Sequence, residues 1–203
     1  MKQLFSTIIL LSTSVLMYGQ TKSSTADIKM ISDYGSKDQE LTRILKFQNI
    51  DYYNVKFTGQ KLKGKYFSMY CKEIWDGEVR KIDTLINSKA NSSVGQIKED
   101  TLTLTALGRR VEDKLKLSFR FPMMGLNRKY DAIISDDYSL RDIGIDIKIK
   151  INESFPAFTY ILPHIEGDWL NYCGVANSGG NVTEWGKKFK IKHYLVFEMK
   201  FED

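Results

Sequence analysis

Asp76-Gly77 stands between two runs of alternating character, Lys65 to Trp75 and Glu78 to Ile86. Two residues of this type favour a tight turn in which both carry positive φ, and that turn's twist matches a pair of antiparallel strands. A two-residue turn also fixes register, placing Glu73 opposite Arg80, Cys71 opposite Ile82, Met69 opposite Thr84 and Phe67 opposite Ile86. On this reading Phe67, Met69, Cys71 and Ile82 are buried, while Lys72 and Lys81 face water. The apolar face ends at the turn in a pair of opposite charges.

Period two continues through most of the chain. Tyr53, Val55 and Phe57 alternate with polar neighbours up to Gly59. Leu102, Leu104 and Ala106 alternate with threonines; Gly108 to Asp113 turns the chain, and Leu115, Leu117, Phe119 and Phe121 return before Pro122. Ile143, Ile145, Ile147, Ile149 and Ile151 alternate with Gly144, Asp146, Lys148, Lys150 and Asn152, the strongest alternation in the sequence. A short strand over Ala157 to Leu162 lies between prolines. Phe189, Ile191, His193, Leu195, Phe197, Met199 and Phe201 share one face of a final strand. Strands with one apolar face belong to antiparallel sheets. Ser36 and Gln39 have capping-box spacing, which suits a short helix from Lys37 to Gln48, although a strand also fits there. About eight amphipathic strands with one or two short helices predict an all-β protein, an antiparallel β-sandwich, with a closed barrel as the second choice.

The first residues read differently. Lys2, an apolar run from Leu4 to Met17 and the small residue Gly19 have the layout of a secretory signal peptide. The run is too short and too rich in Ser and Thr to span a membrane, which takes about 20 apolar residues. The expected organisation is a signal peptide over 1–19, with cleavage after Gly19 or, as a second site, after Ala26. A polar leader over 20–36 and one sandwich domain over 37–203 follow. No cysteine lies near the cleavage region, which argues against a lipid anchor, and no later run is long enough for a transmembrane segment. The expected location is therefore periplasmic or extracellular. In an oxidising compartment Cys71 and Cys173 can pair. The bridge would close a loop of about 100 residues, worth roughly 4–5 kcal/mol on chain-entropy grounds.

Of the 203 residues, 30 are Lys or Arg and 25 are Asp or Glu, interspersed along the chain. No cluster of basic residues with stacking aromatics signals a nucleic-acid partner, and export argues further against one. His164 and His193 are the only histidines, and with two cysteines at no metal-binding spacing they point to no metal and no cofactor. His193, in mid-strand on the apolar face, reads as a core or strand-edge residue rather than a ligand. Asp136, Asp137 and Asp142 read as a solvated turn. Glu166, Asp168 and Glu184 supply carboxylates of the kind glycoside hydrolysis needs, as do many acidic loops. No nucleophile elbow or phosphate loop is present, so catalytic residues are not assigned.

Pro163 to Lys187 is a long stretch without strand pattern, and such stretches are often functional. It holds Trp169, Tyr172 and Trp185, the candidate ligand contacts, and Asn181 followed by Glu184 has the spacing to cap a helical turn. The same aromatics would also serve as extra core at an open end of the sandwich.

Tyr172-Cys173, Val175-Ala176, Ser178-Gly179 and Glu184-Trp185-Gly186-Lys187-Lys188-Phe189 resemble a stretch in a domain-of-unknown-function family of exported proteins from gut Bacteroidetes. Phe57-Thr58-Gly59, Leu62-Lys63-Gly64-Lys65 and Phe119-Arg120-Phe121-Pro122 fit the same pattern. The resemblance implies an envelope protein of a Gram-negative gut bacterium and carries no activity with it. The function expected from sequence is an exported binding or interaction module for a glycan or a protein. The alternatives are a small carbohydrate-active hydrolase and a periplasmic inhibitor or immunity-type protein.

Overall fold

A computed structural model describes residues 27–167, 169–172 and 181–203. The expected signal peptide and residues 20–26 of the leader lie outside the described residues. The protein is an antiparallel β-sandwich. Its first sheet holds β1 (Lys29–Tyr34), β2 (Asp51–Thr58), β5 (Thr101–Val111), β6 (Lys114–Phe121) and β7 (Met124–Asp131), in that spatial order. The second holds β4 (Glu78–Asn87), β3 (Tyr66–Trp75), β12 (His193–Glu202), β9 (Ser154–Ile161) and β8 (Ser139–Arg141). A hairpin of β10 (His164–Glu166) and β11 (Trp169–Asn171) stands apart from both. Helix α1 (Gln39–Phe47) precedes β2, and a 3-10 turn (Val182–Glu184) leads into α2 (Trp185–Phe189). Among the described residues no helix is long and apolar enough to cross a membrane.

Period two does build the core. Phe57, Phe119, Phe155, Phe158, Phe197 and Phe201 meet between the sheets, Phe57 edge to face with Phe155 and Phe201. The strands outnumber the sequence expectation, and two of the added ones come from segments that lack clear alternation. Residues 29–34, expected in the leader, form edge strand β1 against β2. Met124–Asp131 was not expected as a strand and pairs with β6 along its length. Strand β5 also runs through Gly108 to Val111, and the chain turns only at Glu112-Asp113. Helix α1 forms as expected, but its cap is Asp38, whose Oδ1 accepts from the amides of Glu40 and Leu41. Ser36 instead accepts from the Asp38 amide.

At the Asp76-Gly77 turn both residues have positive φ, 52° and 78°, and Trp75 pairs with Glu78. The register then departs from the expected one. A bulge between Glu73 and Ile74 puts Glu73 opposite Lys81 and Lys72 opposite Ile82. Ile82 is therefore 62% exposed rather than buried, because one extra residue on one strand exchanges its faces. Asp83 replaces it on the inner side, opposite Cys71. There it accepts from Arg128 Nε (3.2 Å) and Tyr130 OH (3.0 Å) of β7. A second bulge after Met69 restores the alternation, so Ile86 is buried opposite Met69.

The isoleucine run is not a strand. Strand β8 ends at Arg141, and in continued register residue 144 would face Pro156, which has no amide hydrogen to donate. Gly144 instead presses on β9; a Cβ there would lie 2.7 Å from Met30 Sδ and 3.1 Å from Ala157 Cα. The Ile147 amide closes a turn onto the Gly144 carbonyl, and Asn152 takes a left-handed φ of 66°. Of the five isoleucines only Ile149 is buried, in a single bridge to Ile28.

A second apolar cluster lies on the outer face of the second sheet. Ile74, Ile161, Tyr194 and Val196 project outward from their strands and are covered by Trp185 and Ile191. The Tyr194 hydroxyl accepts from the Gly186 amide at 3.1 Å and donates to the Val182 carbonyl at 2.9 Å, which holds α2 down. Gly186 and Gly77 meet back to back; a Cβ on Gly186 would lie 2.6 Å from Gly77 Cα. Thus the tip of the β3–β4 hairpin and the start of α2 dock on each other.

Candidate functional site

The segment singled out in the sequence divides into a structural half and an exposed half. Trp185 is 3% exposed and belongs to the outer cluster, so it is packing, not a surface contact. The Asn181 side chain caps the turn before it, accepting from the Thr183 amide. Trp169 sits on β11 opposite Glu166. Tyr172 follows the hairpin and is half-buried. Its hydroxyl donates to the Asp137 carbonyl, and the Arg141 guanidinium lies 4.5 Å from its ring centre. Tyr172 thereby fastens the hairpin to the β7–β8 connection. Asp168 and Cys173 lie outside the described residues. Cys71 is a buried thiol in the sandwich core, and burial raises its pKa so that it stays protonated.

Between the hairpin and the chain that follows α2 lies a cleft of about 410 Å³. Leu162, Pro163 and Phe189 supply apolar lining, and Leu170 of β11, 52% exposed, stands at its mouth. Asp137, Lys190 and Lys192 bring charge to it. His164 Nδ1 lies 3.0 Å from the Phe189 carbonyl oxygen. A carbonyl only accepts, so Nδ1 carries a proton there. Lys190 closes α2 in a left-handed conformation, φ 56°, which turns the chain back along the cleft. Of the carboxylates flagged in the sequence, Asp137 lines the cleft, while Asp136 pairs with Arg110. Among the described lining residues Asp137 is the one carboxylate, half of the pair that hydrolysis of a glycosidic bond uses. No three His, Cys, Asp or Glu side chains among the described residues gather as a metal site.

A buried polar network lies elsewhere, at the start of β12. His193 is fully buried, its Nδ1 2.6 Å from the Tyr138 hydroxyl, and its ring stacks on Trp75 at 4.1 Å. Trp75 Nε1 donates to Glu73 Oε1 at 2.8 Å. The Tyr138 hydroxyl also accepts from the Ile133 amide. His193 Nε2 lies 4.0 Å from Glu73 Oε1, outside hydrogen-bond reach. Burial pushes the imidazole down to about 4, against the pull of Asp131. His193 is thus a neutral core residue at pH 7, as its strand position suggested. Its partners were not legible, since Tyr138 lies in a connection without pattern.

The cleft rests on its geometry alone, for no family model, no curated protein and no solved structure matches this chain.

Proposed function

We propose that the protein is an exported binding module of a bacterial envelope, and that it holds a glycan or a protein segment in the cleft beside the β10–β11 hairpin. The observation that carries this reading is the cleft itself, with its apolar lining, the His164 imidazole in its wall and its charged residues. Apolar lining with a few convergent polar groups is the usual composition of a ligand site. Its position supports the reading too, because it is built by a hairpin and loops projecting from a rigid sandwich. The signal-like N-terminus and the family resemblance support an envelope location.

Leu170→Glu tests the site without touching the core, since the residue is half exposed. The protein is screened on a glycan array and by crosslinking in envelope extract. Every ligand that wild type retains should be lost or weakened about tenfold or more in the variant, at an unchanged melting temperature. Retention of the same ligands by Leu170→Glu would rule out the cleft.

A further inference from the structure

The register of the first sheet assembles something the linear sequence hides. Arg109 of β5 lies directly opposite Lys116 of β6, and Lys116 directly opposite Lys129 of β7. All three project from the outer face of the sheet, because Leu115, Leu117 and Tyr130 on either side point into the core and a Cβ on Gly108 would meet Leu117 and Tyr160 there. Adjacent strands lie about 4.8 Å apart, so the three cations form a row about 10 Å long. They line a shallow concavity of about 560 Å³, with Ile50 and, in the neighbouring row, Leu107, Ser118 and Asn127 beside them.

Among the described residues no acidic side chain neutralises the charges in this row. One row further along, Lys114 is held by Asp131 and Asp113. The ion pairs of the described residues include none for Arg109, Lys116 or Lys129, nor for Arg120 on the same face. Arg109 is half-buried and held at 3.5 Å by Gln48 at the end of α1, with its Nε buried and without a partner. Like charges directly opposed on a sheet are destabilising. An anion laid across the row would remove that cost and meet a guanidinium already positioned for a carboxylate or sulfate.

We propose that this face binds an acidic polysaccharide, a sugar chain bearing carboxylate or sulfate groups. The concavity is shallow and open, which suits an extended chain. Hydroxyl and amide side chains for sugar hydroxyls alternate with the cations: Ser118 and Asn127 beside the row, then Asn54 and Thr105 next to Arg120. A single-stranded nucleic acid would need stacking aromatics. Tyr52, the aromatic side chain of β2 on this face, is half-buried and donates its hydroxyl to Asn54. The proposal is independent of the cleft beside the hairpin, which lies on other elements.

The test compares polygalacturonate, heparin and neutral dextran as ligands in calorimetry at about 0.1 M salt. Wild type should bind at least one of the two acidic chains and not dextran. The preference between the two identifies carboxylate or sulfate as the group recognised. The triple variant Arg109→Gln, Lys116→Gln, Lys129→Gln should lose about tenfold or more in affinity and melt no lower than wild type. Removing the same charge at exposed Lys63, Lys98 and Lys150 should leave binding unchanged. Equal losses in the two triple variants, equal binding of dextran, or tighter binding of DNA or of anionic vesicles than of either polysaccharide would each overturn the proposal.

Discussion

His193 shows how one buried titratable group ties this fold to pH. Its imidazole is pushed down to about 4 in the folded protein, chiefly by burial, whereas it titrates near 6.5 when the chain is unfolded. Between those values the unfolded chain binds the extra proton and the folded one does not. Stability contributed by this residue is therefore complete above pH 6.5 and is lost as pH falls toward 4. A shift of that size corresponds to roughly 3 kcal/mol. Urea unfolding at pH 7 and pH 4.5 should show wild type losing stability more steeply than His193→Gln, which keeps a polar group at the site but cannot ionise. The same pH dependence in both proteins would mean that the imidazole is protonated inside the fold. Glu73 and Tyr138 are then the residues that would have to accommodate the charge.

At the level of elements, what was legible depended on whether the determinant was local. The Asp76-Gly77 turn needs only two residues able to take positive φ, so it was readable. Its bulges were not, because they answer to Asp83 reaching Arg128 and Tyr130 across the edge of the sandwich. The isoleucine run failed for a related reason. Alternation records which side chains are apolar, but a strand also needs a facing edge able to bond, and at the corresponding position β9 presents Pro156. The consequence is measurable. Ile145 is 46% exposed and Ile149 is 3% exposed. Ile149→Asp should cost several kcal/mol, since it buries an unpaired carboxylate, while Ile145→Asp should cost about 0.5 kcal/mol or less. Equal losses in urea unfolding would restore the continuous strand. The candidate sites divide in the same way. The unpatterned segment pointed to the hairpin and its cleft, but Trp185 within it proved to be packing. Arg109, Lys116 and Lys129 went unnoticed because they are seven and thirteen residues apart in sequence. Only strand pairing, including the unrecognised β7, brings them into one row.

The whole molecule depends on its last strand. Strand β12 lies at the centre of the second sheet, paired with β3 from Tyr66 to Trp75 and with β9 from Ser154 to Ile161. It supplies Leu195, Phe197, Met199 and Phe201 to the sandwich core and Tyr194 and Val196 to the outer cluster. The two sheets are also joined along their sides by carboxylates. Asp83 of β4 holds Arg128 of β7, and Asp51 of β2 accepts from the Leu140 amide of β8 at 2.8 Å. Neither latch can substitute for a central strand, whose removal would leave β3 and β9 with unpaired edges and would open both cores at once. A chain ending at Lys192 should therefore show no cooperative urea transition and should expose apolar surface to a hydrophobic dye. A peptide spanning 190–203, added in excess, should restore the transition by filling the gap between β3 and β9 as an added strand. The register is set by alternation over ten residues, so the same peptide with Phe197 and Met199 changed to Asp should fail to rescue. Cooperative unfolding of the truncated chain without peptide, at the wild-type midpoint, would mean that β3 and β9 close on each other and that β12 is an accessory to the sandwich, not its keystone.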